Sequence, residues 1–145
     1  MNRKPSFLKK SACLAAALLM FASTAFATPT ALSTTVLIQN NVAVTAGQLA
    51  ITFTACDATN GNSYTATGRE VLLVYNSGGS TYTFTISSVP DNLGRSDTSL
   101  TTYSVTTLTY AAIQMKYLPG WLQSGGTINL TCSNAAVKYA VLQTN

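Results

Sequence analysis

Strict alternation of apolar and hydroxyl-bearing residues is the feature that most constrains this chain. TYTFTI (81–86) sets Tyr82, Phe84 and Ile86 against Thr81, Thr83 and Thr85. TINLTC (127–132) sets Ile128, Leu130 and Cys132 against Asn129 and Thr131, and VKYAVLQ (137–143) puts Val137, Tyr139 and Val141 on one side. Successive residues of a strand point to opposite faces, so a period of two rich in β-branched and aromatic residues specifies half-buried strands. GQLAITFTAC (47–56) alternates in the same way, with Leu49, Ile51 and Phe53 together. REVLLVYN (69–76) is instead apolar on both faces, which suits a strand covered on both sides near the middle of a sheet.

The punctuation between these runs is polar and glycine-marked. Ser77-Gly78-Gly79-Ser80 separates REVLLVYN from TYTFTI and predicts a β-hairpin. DATNGNSYTATG (57–68) reads as a polar loop, SSVPDNLGRSDTS (87–99) as a long connection and SNAA (133–136) as a corner. VLIQNNVAV (36–44) holds a short strand and a second apolar patch around an Asn-Asn break. LTTYSVTTLTYAAIQMKYL (100–118) predicts two strands, because its Thr and Tyr content disfavours the competing helix at 108–115. Seven to eight short strands with no amphipathic helix define an all-β chain, an antiparallel β-sandwich of immunoglobulin-like or jelly-roll-like type.

The first 27 residues stand apart from this pattern. Arg3, Lys4, Lys9 and Lys10 precede a short run of small and apolar residues, and Ala25-Phe26-Ala27 is an A-x-A cleavage site. That order specifies a signal peptide rather than a retained anchor, so export to the periplasm or beyond is expected. The expected organisation is a leader over 1–27, an extended segment over 28–47 and a sandwich domain over 48–145. The remaining chain of about 118 residues would bury roughly two-thirds of its unfolded surface.

Export changes the charge. The full chain carries +4, but the leader takes four of its eight basic residues. Arg69, Arg95, Lys116 and Lys138 then balance Asp57, Glu70, Asp91 and Asp97. No basic cluster remains for nucleic acid, and a neutral Thr-rich surface favours association over repulsion. Cys56 and Cys132 survive cleavage; an oxidising compartment favours one disulfide, worth about 4 kcal/mol by chain entropy, over two buried thiols.

The residue inventory excludes more chemistry than it offers. The sequence has no histidine, which removes Ser-His-Asp and Cys-His arrangements and histidine metal sites. A carboxylate pair would have to join Glu70 to Asp57, Asp91 or Asp97, acids with turn neighbours. The 57–62 loop has oxygen ligands that a calcium ion would take, but its spacing is that of a polar turn. Arg69-Glu70 reads as a strand start, with the two side chains on opposite faces. Tyr103, Tyr110, Tyr117 and Trp121 raise a sugar-stacking reading, with Tyr117 and Trp121 the candidate ligand or surface contacts; the competing role for Trp121 is to plug the end of the sandwich. No catalytic residue, cofactor or metal is expected.

TFTACDATNGNSYTATGREVLLVYNSG, TISSVPDNLGRSD and GWLQSGGTINLTCSNAAVKYAVL together resemble a group of small β-sandwich proteins encoded by tailed phages. The shared stretches are NGNSY-x-x-x-GRE-V-L, SSVPD-x-x-GR, GW-x-QS-x-G and SNAAVKYAV, and the likeness covers residues 48–142. It implies a head-decoration or minor virion structural role. The leader departs from that group, as do Cys56 and Cys132, where the group looks more like Ala. The expectation is therefore an exported, non-catalytic structural or assembly subunit that associates with itself or with another surface or virion protein. Residues 28–44 are the segment expected to add to a neighbour's sheet. The alternatives are a virion decoration protein and a carbohydrate-binding module.

Overall fold

The computed structural model describes residues 28–37, 50–90, 102–116 and 119–144. Ten strands form two sheets: β1 (Thr30–Ala31), β2 (Thr34–Val36), β3 (Thr54–Ala55), β4 (Asn62–Thr65), β5 (Glu70–Asn76), β6 (Tyr82–Ile86), β7 (Tyr103–Val105), β8 (Tyr110–Met115), β9 (Thr127–Cys132) and β10 (Val137–Gln143). Sheet I runs β1-β4-β9-β6-β7; sheet II runs β2-β10-β5-β8, with β3 also on β10. There is no helix among the described residues, and the fold is the expected all-β sandwich. It has more strands than expected, and both sheets are mixed, because β1 pairs β4 and β2 pairs β10 in parallel.

One apolar core joins the sheets. Tyr64, Phe84, Ile128 and Leu130 from sheet I meet Leu72, Val74, Tyr139 and Val141 from sheet II. Phe84, Ile128, Leu130, Tyr139 and Val141 are the inward members of the alternating runs, and each such burial stabilises by about 1.5–3 kcal/mol. Phe84 meets Tyr139 edge-on across the sheets at 6.2 Å. The Cys56–Cys132 disulfide ties the residue after β3 to the last residue of β9, with Cα atoms 6.4 Å apart.

Four local expectations change. β5 and β6 are not a hairpin: β5 pairs β10 and β8, whereas β6 pairs β9 and β7. The turn between them is a corner from one sheet to the other, organised by Asn76, which is fully buried. Its Nδ2 donates to the carbonyls of Ser80 (2.7 Å) and Val105 (2.8 Å), and its Oδ1 accepts from the Gly78 N–H (2.9 Å). A Cβ on Gly78 would stand 2.5 Å from the Tyr82 ring, so any larger residue at this corner would have to displace that ring.

Of the strand expected in GQLAITFTAC (47–56), the described part, from residue 50, holds only β3, and Ile51 is exposed (44%). The predicted loop over 57–68 contains β4, whose inward residues are Asn62 and Tyr64. A polar inward residue hid that alternation. Finally, the segment expected to be free for a neighbour is used at home over 28–37. There β1 extends sheet I, β2 extends sheet II, and Leu32 is buried between them. The leader and residues 38–49 lie outside the described residues.

Candidate functional site

The acids among the described residues hold turns. Asp57 ends the 56–57 approach to an Asn-Gly turn and accepts the backbone N–H groups of Thr59 (3.0 Å) and Asn60 (2.9 Å) on Oδ1. Its Oδ2 takes the Thr30 hydroxyl (2.8 Å) and the Asn60 amide (3.0 Å). The Asn60 backbone and then the Thr30 hydroxyl hold its pKa down at about 2. Donors converge on this carboxylate from the chain itself, the arrangement of an Asx turn rather than of a calcium loop.

Glu70 begins β5 and is almost fully buried (1% exposed). Its carboxylate accepts the Thr67 hydroxyl and the N–H groups of Thr67 (2.9 Å), Gly68 (2.9 Å) and Arg69 (3.2 Å). Burial alone would raise its pKa; the hydrogen bonds outweigh burial and hold it below the ordinary value. The carboxylate thus closes the turn that feeds β5. The Arg69 carbonyl accepts both the N–H and the hydroxyl of Thr144 (3.1 Å each), fixing the last described residues beside it. Asp91, Asp97 and Arg95 lie outside the described residues.

Of the two aromatics singled out for ligand contact, Tyr117 lies outside the described residues. Trp121 belongs to the core cluster and is 8% exposed. Its ring is packed against protein and offers no open face for stacking on a sugar. Its indole N–H, the Tyr64 hydroxyl and the Asn62 amide nitrogen are buried without hydrogen-bond partners among the described residues. Burial, followed by the nearby Glu70 charge, pushes the Tyr64 phenol up.

The surface that stands out is the outer face of sheet II. Tyr75 lies opposite Tyr110 and Lys138, Leu73 opposite Ala112 and Ala140, and Val71 opposite Gln114 and Leu142; on the β10 side Ala140 and Leu142 are buried, so the open part of this face is that of β5 and β8. The Tyr75 and Tyr110 rings stack at 4.3 Å with an interplanar angle of 13°. Phe53 meets both edge-on, at 6.1 and 5.9 Å. Tyr110 is 67% exposed, and the outward side chains of β5 are only half-buried. The sequence signal was REVLLVYN, apolar on both faces. The structure covers one of those faces with the core and leaves the other partly open.

The outer face of sheet I is of another kind. Ser63 lies opposite Asn129, Thr65 opposite Thr127, Thr85 opposite Thr131 and Thr83 opposite Ser104. No charged or aromatic side chain belongs to these pairs. The chain matches no protein-family model, no curated protein and no solved structure.

Proposed function

We propose that this chain is an exported, non-catalytic β-sandwich that works as a structural or assembly subunit through surface association. The observation that carries the reading is the apolar outer face of sheet II, where the exposed Tyr110 ring stacks on Tyr75 beside Phe53. Contiguous apolar surface on a soluble domain marks a site of contact with another macromolecule. The balance of four acidic and four basic residues after residue 27 lets like copies approach without net repulsion. The disulfide and the absence of a membrane-crossing helix among the described residues are compatible with an oxidising compartment. A phage virion decoration or minor structural protein is the second reading, supported by the sequence likeness over 48–142. Burial of Trp121 takes away one of the two aromatics on which a carbohydrate-binding reading rested; Tyr117 lies outside the described residues.

Light scattering on the non-reduced, leader-free protein over a range of concentrations tests the association reading. A molar mass that climbs above one chain with concentration is expected. The mass of a single chain throughout would overturn it.

A further inference from the structure

Each sheet has two edges, one of them shared by β2 and β3 along β10, and four of the five edge strands are very short. β1 and β3 have two residues each, and β2 and β7 have three each. β8 is the exception, with six residues reading YAAIQM. Among the described residues it pairs only with β5, so its other side is a free row of N–H and C=O groups. Natural edge strands are blunted by charge, proline, bulges or shortness. β8 has none of these: its register with β5 is unbroken from Tyr110 to Met115 and it holds no charged residue, proline or glycine.

The register also shows which groups are free. The Asn76 N–H donates to the Thr109 carbonyl at 3.1 Å. That bond continues the β5–β8 register past Tyr75 and Tyr110, and in an antiparallel pair the bonded positions recur every second residue. Ala111, Ile113 and Met115 therefore bond to β5, and Tyr110, Ala112 and Gln114 aim their backbone groups away from it. The same three residues put their side chains on the outer face.

We infer that β8 pairs antiparallel with β8 of a second copy, about a two-fold axis at Ala112. This rests on the association reading above and names its surface and partner. Such a contact is self-complementary, as a two-fold interface requires. With Ala112 on the axis, Tyr110 falls opposite Gln114 of the second copy, so every free backbone group from 110 to 114 finds a partner. The small Ala112 side chains meet where bulk would separate the strands. Leu108 then lies opposite Lys116 of the second copy. Leu108 has φ 54° and is 65% exposed, a left-handed backbone that is rare for a residue other than glycine, asparagine or aspartate. In the pair, the aliphatic stem of Lys116 covers it. The two copies then share one continuous sheet, β2-β10-β5-β8 and its mirror order, with the Tyr75–Tyr110 stacks on the same outer face.

Sedimentation equilibrium on the disulfide-bonded protein tests this with three variants. Ala112→Lys sets two like charges together on the axis, and Ala112→Pro removes an outward N–H that β5 does not use. Thr131→Lys places the same charge on the outer face of sheet I. The expected result is a dimer for the wild type and for Thr131→Lys, and a dissociation constant raised at least about tenfold for both Ala112 variants. Ala112 is exposed, so the lysine variant keeps its fold and decides the matter if the proline variant does not. Ala112→Lys with an unchanged dissociation constant overturns edge pairing while association stands through another surface. Loss of the dimer in Thr131→Lys alone has the same meaning. A wild type that stays monomeric overturns both readings.

Discussion

The two outer faces of the sandwich come from the same alternation and carry opposite chemistry. On sheet I the outward positions are Ser63, Thr65, Thr83, Thr85, Asn129 and Thr131. On sheet II they include Val71, Leu73, Tyr75 and Tyr110, together with Ala140 and Leu142, which the chain itself already buries. Threonine keeps the β-branched fit to a pleated surface while giving water a hydroxyl. Leucine, valine and tyrosine fit the pleat equally well but gain most when something covers them. Strand propensity is therefore satisfied on both faces, and the difference between them reflects what each one meets. Sheet I is finished toward water. Sheet II keeps apolar side chains on its outer face, which the proposed association would cover, and its one long edge strand among the described residues, β8, borders that face.

Breaking the tie between the sheets should have the largest effect and should favour neither face. Replacing Cys56 and Cys132 with serine removes a link of sequence separation 76 and is expected to cost about 4 kcal/mol in urea unfolding. Truncating the shared core has a similar scale: Leu72→Ala should lose about 2–5 kcal/mol.

Glu70 belongs to the inner side of sheet II alone. Glu70→Gln turns an amide N–H₂ toward backbone donors and should cost about 1–3 kcal/mol. The pH dependence has a fixed sign. The folded carboxyl titrates below its unfolded value, so the unfolded chain takes up the proton first as the solution is acidified. The stabilisation is complete above the unfolded carboxylate pKa and disappears as pH falls through the folded one. Unfolding midpoints of wild type and Glu70→Gln should therefore differ at neutral pH and converge at acidic pH.

The faces themselves are compared by smaller changes. Tyr75→Thr makes the centre of sheet II resemble sheet I; it should lose about 0.5–1.5 kcal/mol of ring stacking and weaken association measurably in light scattering. Asn129→Lys on the opposite face should alter stability by no more than about 0.5 kcal/mol and leave the molar mass unchanged. Equal effects from these two substitutions would erase the contrast.

Much of the fold was legible from residues whose inward partners are apolar. TINLTC and VKYAVLQ became β9 and β10 at the predicted bounds, and TYTFTI became β6 one residue shorter. The failures occur where a polar residue points inward. Asn62 concealed β4, and Asn76 turned an apparent hairpin into a corner between sheets, because its three hydrogen bonds draw the chain toward Ser80 and Val105. Composition cannot reveal such bonds, since the same asparagine on a surface is an ordinary turn residue. The candidate surface was half legible. REVLLVYN announced a strand with two apolar faces, but its sequence cannot say whether the second face meets its own chain or another. Trp121 was open between ligand and plug, and its environment decided for the core.

The most direct test of the central claim is amide hydrogen exchange, residue by residue, on the disulfide-bonded protein at low and high concentration. Tyr110, Ala112 and Gln114 should gain protection as concentration rises, while Ser104 on the β7 edge of sheet I exchanges at the same rate throughout. Exchange at β8 that does not depend on concentration, or protection that develops instead along β7, would contradict the assignment of sheet II as the associating side.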